Sequence, residues 1–235
     1  MKRTKIDYGI DLGTTNSAIS RMEDGEATIK KTDTLKDTMP SCVYINKKQA
    51  IQVGDSAFNA LKRDKLISMK GDDKSSNAYI EFKRTMGTDK KYFSSNLGKD
   101  LSSEELSAEV LKTLKSFVSY ENINTVVITV PAAFGNNQKE ATREAVKLAG
   151  FNHIELLQEP VAAAMAYGLD SKKKDGFWLV YDFGGGTFDA AILKVEDGIM
   201  NVIDTEGDNY LGGVKVWTWP LLMKSYCLIS KKTMQ

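Results

Sequence analysis

Histidine is nearly missing from this chain of 235 residues: His153 is the single one. A lone imidazole has no companion with which to hold a metal ion. Standing between Gly150 and an apolar strand, it is expected at a surface or boundary. Cysteine is almost as scarce. Cys42 and Cys227 are far apart and in no ligand-like spacing, which argues against a disulfide framework or a zinc site. An excess of either charge is also missing. Lys and Arg number 32 against 31 Asp and Glu, a net charge of +1 that gives no electrostatic case for nucleic acid or a membrane surface as the main partner. The short lysine clusters at 30–31, 47–48, 90–91 and 172–174 read as solvated loops. No stretch approaches the ~20 apolar residues of a membrane span. Met1-Lys2-Arg3 opens like a signal sequence, but Asp7 and Asp11 stand where the apolar run belongs, so the cytoplasm is the expected location.

What remains is an ordinary globular composition, 42% apolar and 27% charged, with length enough for one or two domains. Tyr8–Leu12 reads as a buried strand ending in the hydroxyl-rich turn Gly13-Thr14-Thr15-Asn16-Ser17. A second strand is predicted at 18–22, with Asp24-Gly25 as a hairpin turn before 27–30. Pro40-Ser41 introduces a short strand at 42–45, residues 56–63 look helical, and the polar stretch 72–96 reads as an excursion or small subdomain. Ser102 and Glu105 form a capping box. It opens a helix with the stripe Leu106, Val110, Leu111, Leu114, Phe117 and Val118. Residues 125–130 are a continuous apolar run, as in a central strand covered on both faces. A helix at 136–149 is stopped by Gly150, a short strand covers 154–157, and Pro160 starts a helix over 161–167.

The opening pattern then returns about 170 residues later. A buried strand at 177–183 carries Asp182 near its end, the turn is Gly184-Gly185-Gly186-Thr187, and a strand at 188–195 leads through Asp197-Gly198 to another at 200–205. A Gly/Thr hairpin after a buried strand exposes backbone N–H groups and hydroxyls at a tight turn, which makes a cradle for phosphate oxygens. An aspartate at the strand end suits a hydrated magnesium ion, which keeps most of its waters. For either hairpin alone a plain β-turn is the competing reading; two copies in matching strand contexts favour a paired grip on one nucleotide's phosphates. Neither turn has the P-loop pattern, and Gly184-Gly185-Gly186 leads into a strand, which disfavours a Rossmann site.

Five segments give this pattern a family. IDLGTTNS at 10–17, VPA at 130–132, QEPVAAAMAYGLD at 158–170, YDFGGGTFD at 181–189 and GDNYLGG at 207–213 resemble the DnaK-type 70-kDa heat-shock chaperones, in that family's order and at about its spacing. The resemblance implies an α/β, actin-like ATPase fold of ribonuclease-H-like topology, with mixed sheets and covering helices. It implies binding of ATP/ADP with Mg2+, and turnover coupled to capture of unfolded peptides. Gly13, Thr14, Thr15 and Asn16 would hold the β- and γ-phosphates, with Gly184, Gly185, Gly186 and Thr187 clasping the other side. Asp11 and Asp182 would anchor the metal through waters. Lys83, an ordinary lysine of a basic stretch when read without the family, matches its catalytic lysine. Glu159 and Asp189 would orient waters, and Thr187 would sit near the γ-phosphate; a helix cap and a lysine partner are the competing readings of those two carboxylates. Partners implied are nucleotide, unfolded peptides, a J-domain co-chaperone and a nucleotide-exchange factor, with neither nucleic acid nor membrane. Pro131 and Lys139 fall where the family relays nucleotide state through a proline and an arginine. Lysine lacks the planar fork, which puts that relay in doubt.

The expected organisation is a first lobe over 1–170 with a small subdomain inserted at about 31–110, then the start of a second lobe over 171–213. From 214 to 235 the pattern departs from the family, with two of three tryptophans and Pro220 in a stretch without apolar periodicity. Back-translated and read from the third base of each codon, this tail yields the aspartate-bearing helix the family expects. The expectation is a reading-frame shift near Gly213, an incomplete second lobe, impaired nucleotide binding, and a strand at 200–205 without its covering helix. Two rival functions stand beside this one: a small-molecule kinase of the same superfamily, and a non-enzymatic module that docks co-chaperones or other chains.

Overall fold

A computed structural model of the chain describes residues 7–69, 76–166, 175–183 and 188–208. They fall into two compact units, one drawn from 1–128 and 136–155, the other from 129–135 and 156–235. The α/β class expected from the sequence is the one observed, mixed sheets with helices packed on them.

The first unit is built on a meander of β1 (Tyr8–Leu12), β2 (Asn16–Glu23) and β3 (Glu26–Ile29). Period-two alternation sets the faces: Tyr8, Ile10 and Leu12 are buried while Asp11 is exposed. Asp24 and Gly25 both take positive φ, 51° and 88°, as a two-residue primed turn between antiparallel strands requires. The two-residue β4 (Met39–Pro40) pairs alongside β2, opposite Asn16 and Ser17. A small sheet of β5 (Cys42–Ile45), β6 (Ile51–Val53) and β7 (Ala78–Ile80) packs on α1 (Asp55–Ser68), burying Cys42, Ala57 and Leu61 together. The hairpin of β8 (Lys91–Ser94) and β9 (Lys99–Ser102) leads into α2 (Ser103–Ser116).

The capping box that opens α2 is present. Ser102 Oγ accepts from the Glu105 N–H at 3.2 Å, and the Glu105 carboxylate accepts from the Ser102 N–H at 2.8 Å. Leu106, Val110, Leu111, Leu114 and Val118 of its stripe are buried, each contributing roughly 1.5–3 kcal/mol, and Phe117 is half-buried. Next comes β10 (Thr125–Val130), parallel to β1 and between it and β11 (His153–Gln158) in the sheet order. Its cover is less even than the apolar run suggested. Val126, Ile128 and Val130 are buried, while Thr125, Val127 and Thr129 are half-buried. The helix α3 (Asn136–Leu148) packs on α2 and ends in a Schellman motif. Gly150 (φ 81°) donates to Lys147 O, and Phe151 donates to Val146 O. His153 lies at the surface, its Nε2 3.2 Å from a Glu155 carboxylate oxygen.

In the second unit, β12 (Gly176–Phe183), β13 (Phe188–Glu196) and β14 (Ile199–Asp208) form an antiparallel meander. The turn from β13 to β14 repeats the first unit's device, with Asp197 and Gly198 at φ 50° and 79°. The helix α4 (Glu159–Ala166) seats Val161, Ala163 and Ala164 on Trp178, Val180, Leu193, Met200 and Val202. The helix α4 thus packs on one face of the strand over 200–205, while the helix expected to be missing would follow Gly213, outside the described residues. Ile199 and Ile203 are exposed. No helix among the described residues is long and apolar enough to cross a membrane. Gly168 and the tail from 214 to 235 lie outside the described residues.

Cys42 gives a test of the small-sheet core. Burial pushes its thiol up to about 12. The native chain at pH 8 is expected to leave Cys42 unalkylated by iodoacetamide, whereas the guanidinium-unfolded chain alkylates it, read by mass of the Cys42 peptide. The sign for stability follows. The folded thiol keeps a proton that the unfolded chain releases above ~8.5, so this contribution is intact at neutral pH and is lost progressively as pH rises toward 12.

Candidate functional site

The turn between β1 and β2 is closed so tightly that a Cβ on Gly13 would lie 2.1 Å from the Asn16 carbonyl oxygen. Only glycine fits, because a backbone carbonyl cannot swing away as a flexible side chain does. The turn is held from behind by the strand edge that β4 supplies. Ser41 Oγ donates to Gly13 O at 2.7 Å, and the Ser41 N–H donates to Thr15 O at 2.8 Å. Two carbonyls of the turn are thus directed at Ser41. Asp11, Thr15 and Asn16 are exposed and Thr14 is half-buried. Hydroxyls, backbone and one carboxylate are therefore presented together on a fixed hairpin, an arrangement suited to phosphate oxygens and a hydrated cation.

Lys83 sits in a short 3-10 turn, Phe82–Thr85, entered through Glu81 in the left-handed region at φ 58°. Thr85 pins that turn: its Oγ1 donates to Phe82 O at 3.0 Å and lies 2.8 Å from the Tyr92 hydroxyl and 2.7 Å from Ser103 Oγ. With the single Thr85 proton committed to Phe82, both neighbours donate to it. Lys83 is only 6% exposed. That sets aside the reading of an ordinary solvated lysine in a basic stretch, since lysines are seldom buried without a specific reason.

In the second unit the β12–β13 register places Asp182 directly opposite Asp189. Both line a small cavity with Glu159 and Pro160 of α4, Ala132, Val180, Ala191 and Thr205. Pro160 occupies the first turn of α4, where its missing N–H leaves no bond unmade. Carboxylates opposed across a strand pair and lining one cavity make an acidic place that suits a cation. No three His, Cys, Asp or Glu side chains among the described residues converge closely enough to hold a bare ion. The donor set fits an oxygen-preferring ion that keeps its waters, as Mg2+ does. Space for the Asp189 carboxylate comes from Gly207 on β14: a Cβ there would lie 2.6 Å from Asp189 Oδ1 and 2.8 Å from Phe188 O.

The first unit thus brings Asp11 and Gly13 to Asn16 onto one hairpin, with Lys83 in a separate turn; the second gathers Glu159, Asp182 and Asp189. Gly184, Gly185, Gly186 and Thr187 lie outside the described residues. Pro131 is in the loop after β10 and Lys139 on α3, both half-buried. Sequence reasoning placed Ser17 in the turn and Gly207 in a family segment without giving either a role, and it missed Ser41. The signal for Gly207 was available, since a glycine inside a strand pattern marks close approach of another group.

The Hsp70 protein family model matches residues 7–219. The Chaperone protein DnaK of Mycoplasmopsis agalactiae is 39% identical over 231 aligned residues, covering 94% of this chain and 36% of that protein. Those of Mycoplasmopsis pulmonis and Mycoplasmopsis synoviae are each 41% identical over 212 residues, covering 89% of this chain and 33% of theirs. The chain spans about a third of the length of these curated relatives.

Gly13→Ala tests the closeness of the turn. It is expected to cost about 1–3 kcal/mol in urea unfolding, because the added methyl must displace backbone. An unchanged midpoint would show that the hairpin opens without strain.

Proposed function

The chain belongs to the Hsp70 family, and from that membership we propose that it is nucleotide-binding machinery of a chaperone, binding MgATP through its phosphates and hydrolysing it to ADP and phosphate. The observation that carries the reading is the braced Gly13–Asn16 hairpin, tight enough to exclude any side chain at Gly13.

In this reading Thr14, Thr15 and Asn16 hold phosphate oxygens through hydroxyl, amide and main-chain groups. Gly184 to Thr187 form the corresponding turn of the second copy. Lys83 places a compact positive charge against the transferring phosphoryl group, stabilising charge as it moves to the leaving oxygen. Glu159 and Asp189 orient the water that attacks the γ-phosphorus and accept its hydrogen bonds. Asp11 and Asp182 hold the waters of Mg2+, which when bound draws charge from the phosphate oxygens. Phosphoryl transfer needs little covalent chemistry from a protein, so positioning by fixed turns is the larger contribution. Binding is proposed to be weak, because the residues that carry the reading address phosphate alone. The coupled binding of unfolded peptides, with a J-domain co-chaperone and an exchange factor as partners, is proposed from the DnaK relatives. So is a cytoplasmic setting, where such a cycle has its ATP.

Calorimetric titration of the monodisperse chain tests this. MgATP and MgADP are expected to give saturable heats, and slow release of phosphate from ATP is expected to be lost in Lys83→Ala while binding persists. A folded chain that gives no heat with either nucleotide, or phosphate release that survives Lys83→Ala, contradicts the proposal.

A further inference from the structure

Behind the Gly13–Asn16 turn lie two buried hydroxyls, Ser17 Oγ and Ser41 Oγ, 2.8 Å apart, with Ser41 Oγ 2.7 Å from Gly13 O. Each hydroxyl carries one proton. The Ser41 proton goes to Gly13 O, so the bond between the two hydroxyls runs from Ser17 to Ser41. The result is a directed relay, Ser17 to Ser41 to the Gly13 carbonyl, in which every proton has one place to go. The Ser41 main chain adds a second hold through its N–H to Thr15 O at 2.8 Å.

We propose that Ser41 is a positioning residue for phosphate. Through the Ser17 relay it fixes the Gly13 carbonyl inward, and so keeps Thr14, Thr15 and Asn16 presented outward in one conformation before any ligand arrives. The inference rests on the nucleotide reading above, and deepens it by naming a residue that touches no substrate. Its physical basis is preorganisation. A turn already frozen gives up little conformational freedom on binding, and a polar group already satisfied from behind does not compete for the ligand. Removing the Ser41 hydroxyl takes the side-chain partner from the half-buried Gly13 O and from the buried Ser17 Oγ, and each then gains by turning toward water. That motion carries the turn with it. Ser17 holds the outer end of the relay, so its loss leaves the Ser41 bond to Gly13 in place and loosens the turn less.

The experiment compares the full chain with Ser41→Ala and Ser17→Ala in two ways. In nucleotide-free protein, Ser41→Ala is expected to shift and broaden the amide resonances of Thr14, Thr15 and Asn16, while those of Leu111 and Leu114 in α2 stay in place. In calorimetry with MgADP, Ser41→Ala is expected to weaken binding on the order of tenfold, and Ser17→Ala only by a few-fold. Turn resonances that do not move, or changes spread equally into α2, overturn the positioning role. Native and Ser41→Ala chains that bind MgADP equally overturn it while leaving the nucleotide reading intact. A native chain that gives no heat with MgADP overturns that reading, and the role of Ser41 in phosphate binding with it.

Discussion

A backbone carbonyl occupying the place of a missing side chain sets the geometry of the first unit's hairpin. The Asn16 oxygen sits where Gly13 would carry its Cβ, and the strand pair β1–β2 can close only on that condition. Everything that follows in the first unit serves to keep the closure. The Met39–Pro40 strand lies along Asn16 and Ser17, and the chain then delivers Ser41 to the carbonyls of Gly13 and Thr15. A turn on a surface would ordinarily sample several conformations; this one is tied to a strand edge by main-chain and hydroxyl bonds at once. The proposed phosphate cradle would need that rigidity, because such a site works by having its donors in place beforehand.

The second unit meets a different constraint. Its strand register forces Asp182 and Asp189 into opposition, and Gly207 gives up a side chain to make room for one of them. Two carboxylates opposed across one strand pair make this end of the sheet acidic, a place that suits positive charge. The helix α4 buries Ala164 against Val180 and Leu193 of the same sheet, so that the apolar packing and the acidic pocket share one scaffold.

Much of this was legible in the sequence, for local reasons. Asp24-Gly25 and Asp197-Gly198 specify their turns through φ values few other residue pairs adopt. Ser102 with Glu105, and Gly150 after α3, specify their helix ends through short-range hydrogen bonds. The tight turn at Gly13 to Asn16 was visible because its glycine and threonines lie consecutively in the chain. What stayed hidden depends on residues brought together from afar. Ser41 meets Gly13 across 28 positions, and no pattern in the chain marks which of its many serines will do so. Lys83 looked like an ordinary lysine of a basic stretch because a charged neighbourhood in sequence says nothing of burial in space. Cover on β10 was overestimated because an apolar run reports the composition of both faces and not what packs on each.

The account stands most directly on the claim that the Gly13–Asn16 turn receives phosphate. Amide resonances of Gly13, Thr14, Thr15 and Asn16, followed while MgADP and then adenosine are titrated into the chain, test it. The account predicts saturable shifts with MgADP and none with adenosine. Resonances indifferent to MgADP, or moved as far by adenosine, would contradict it.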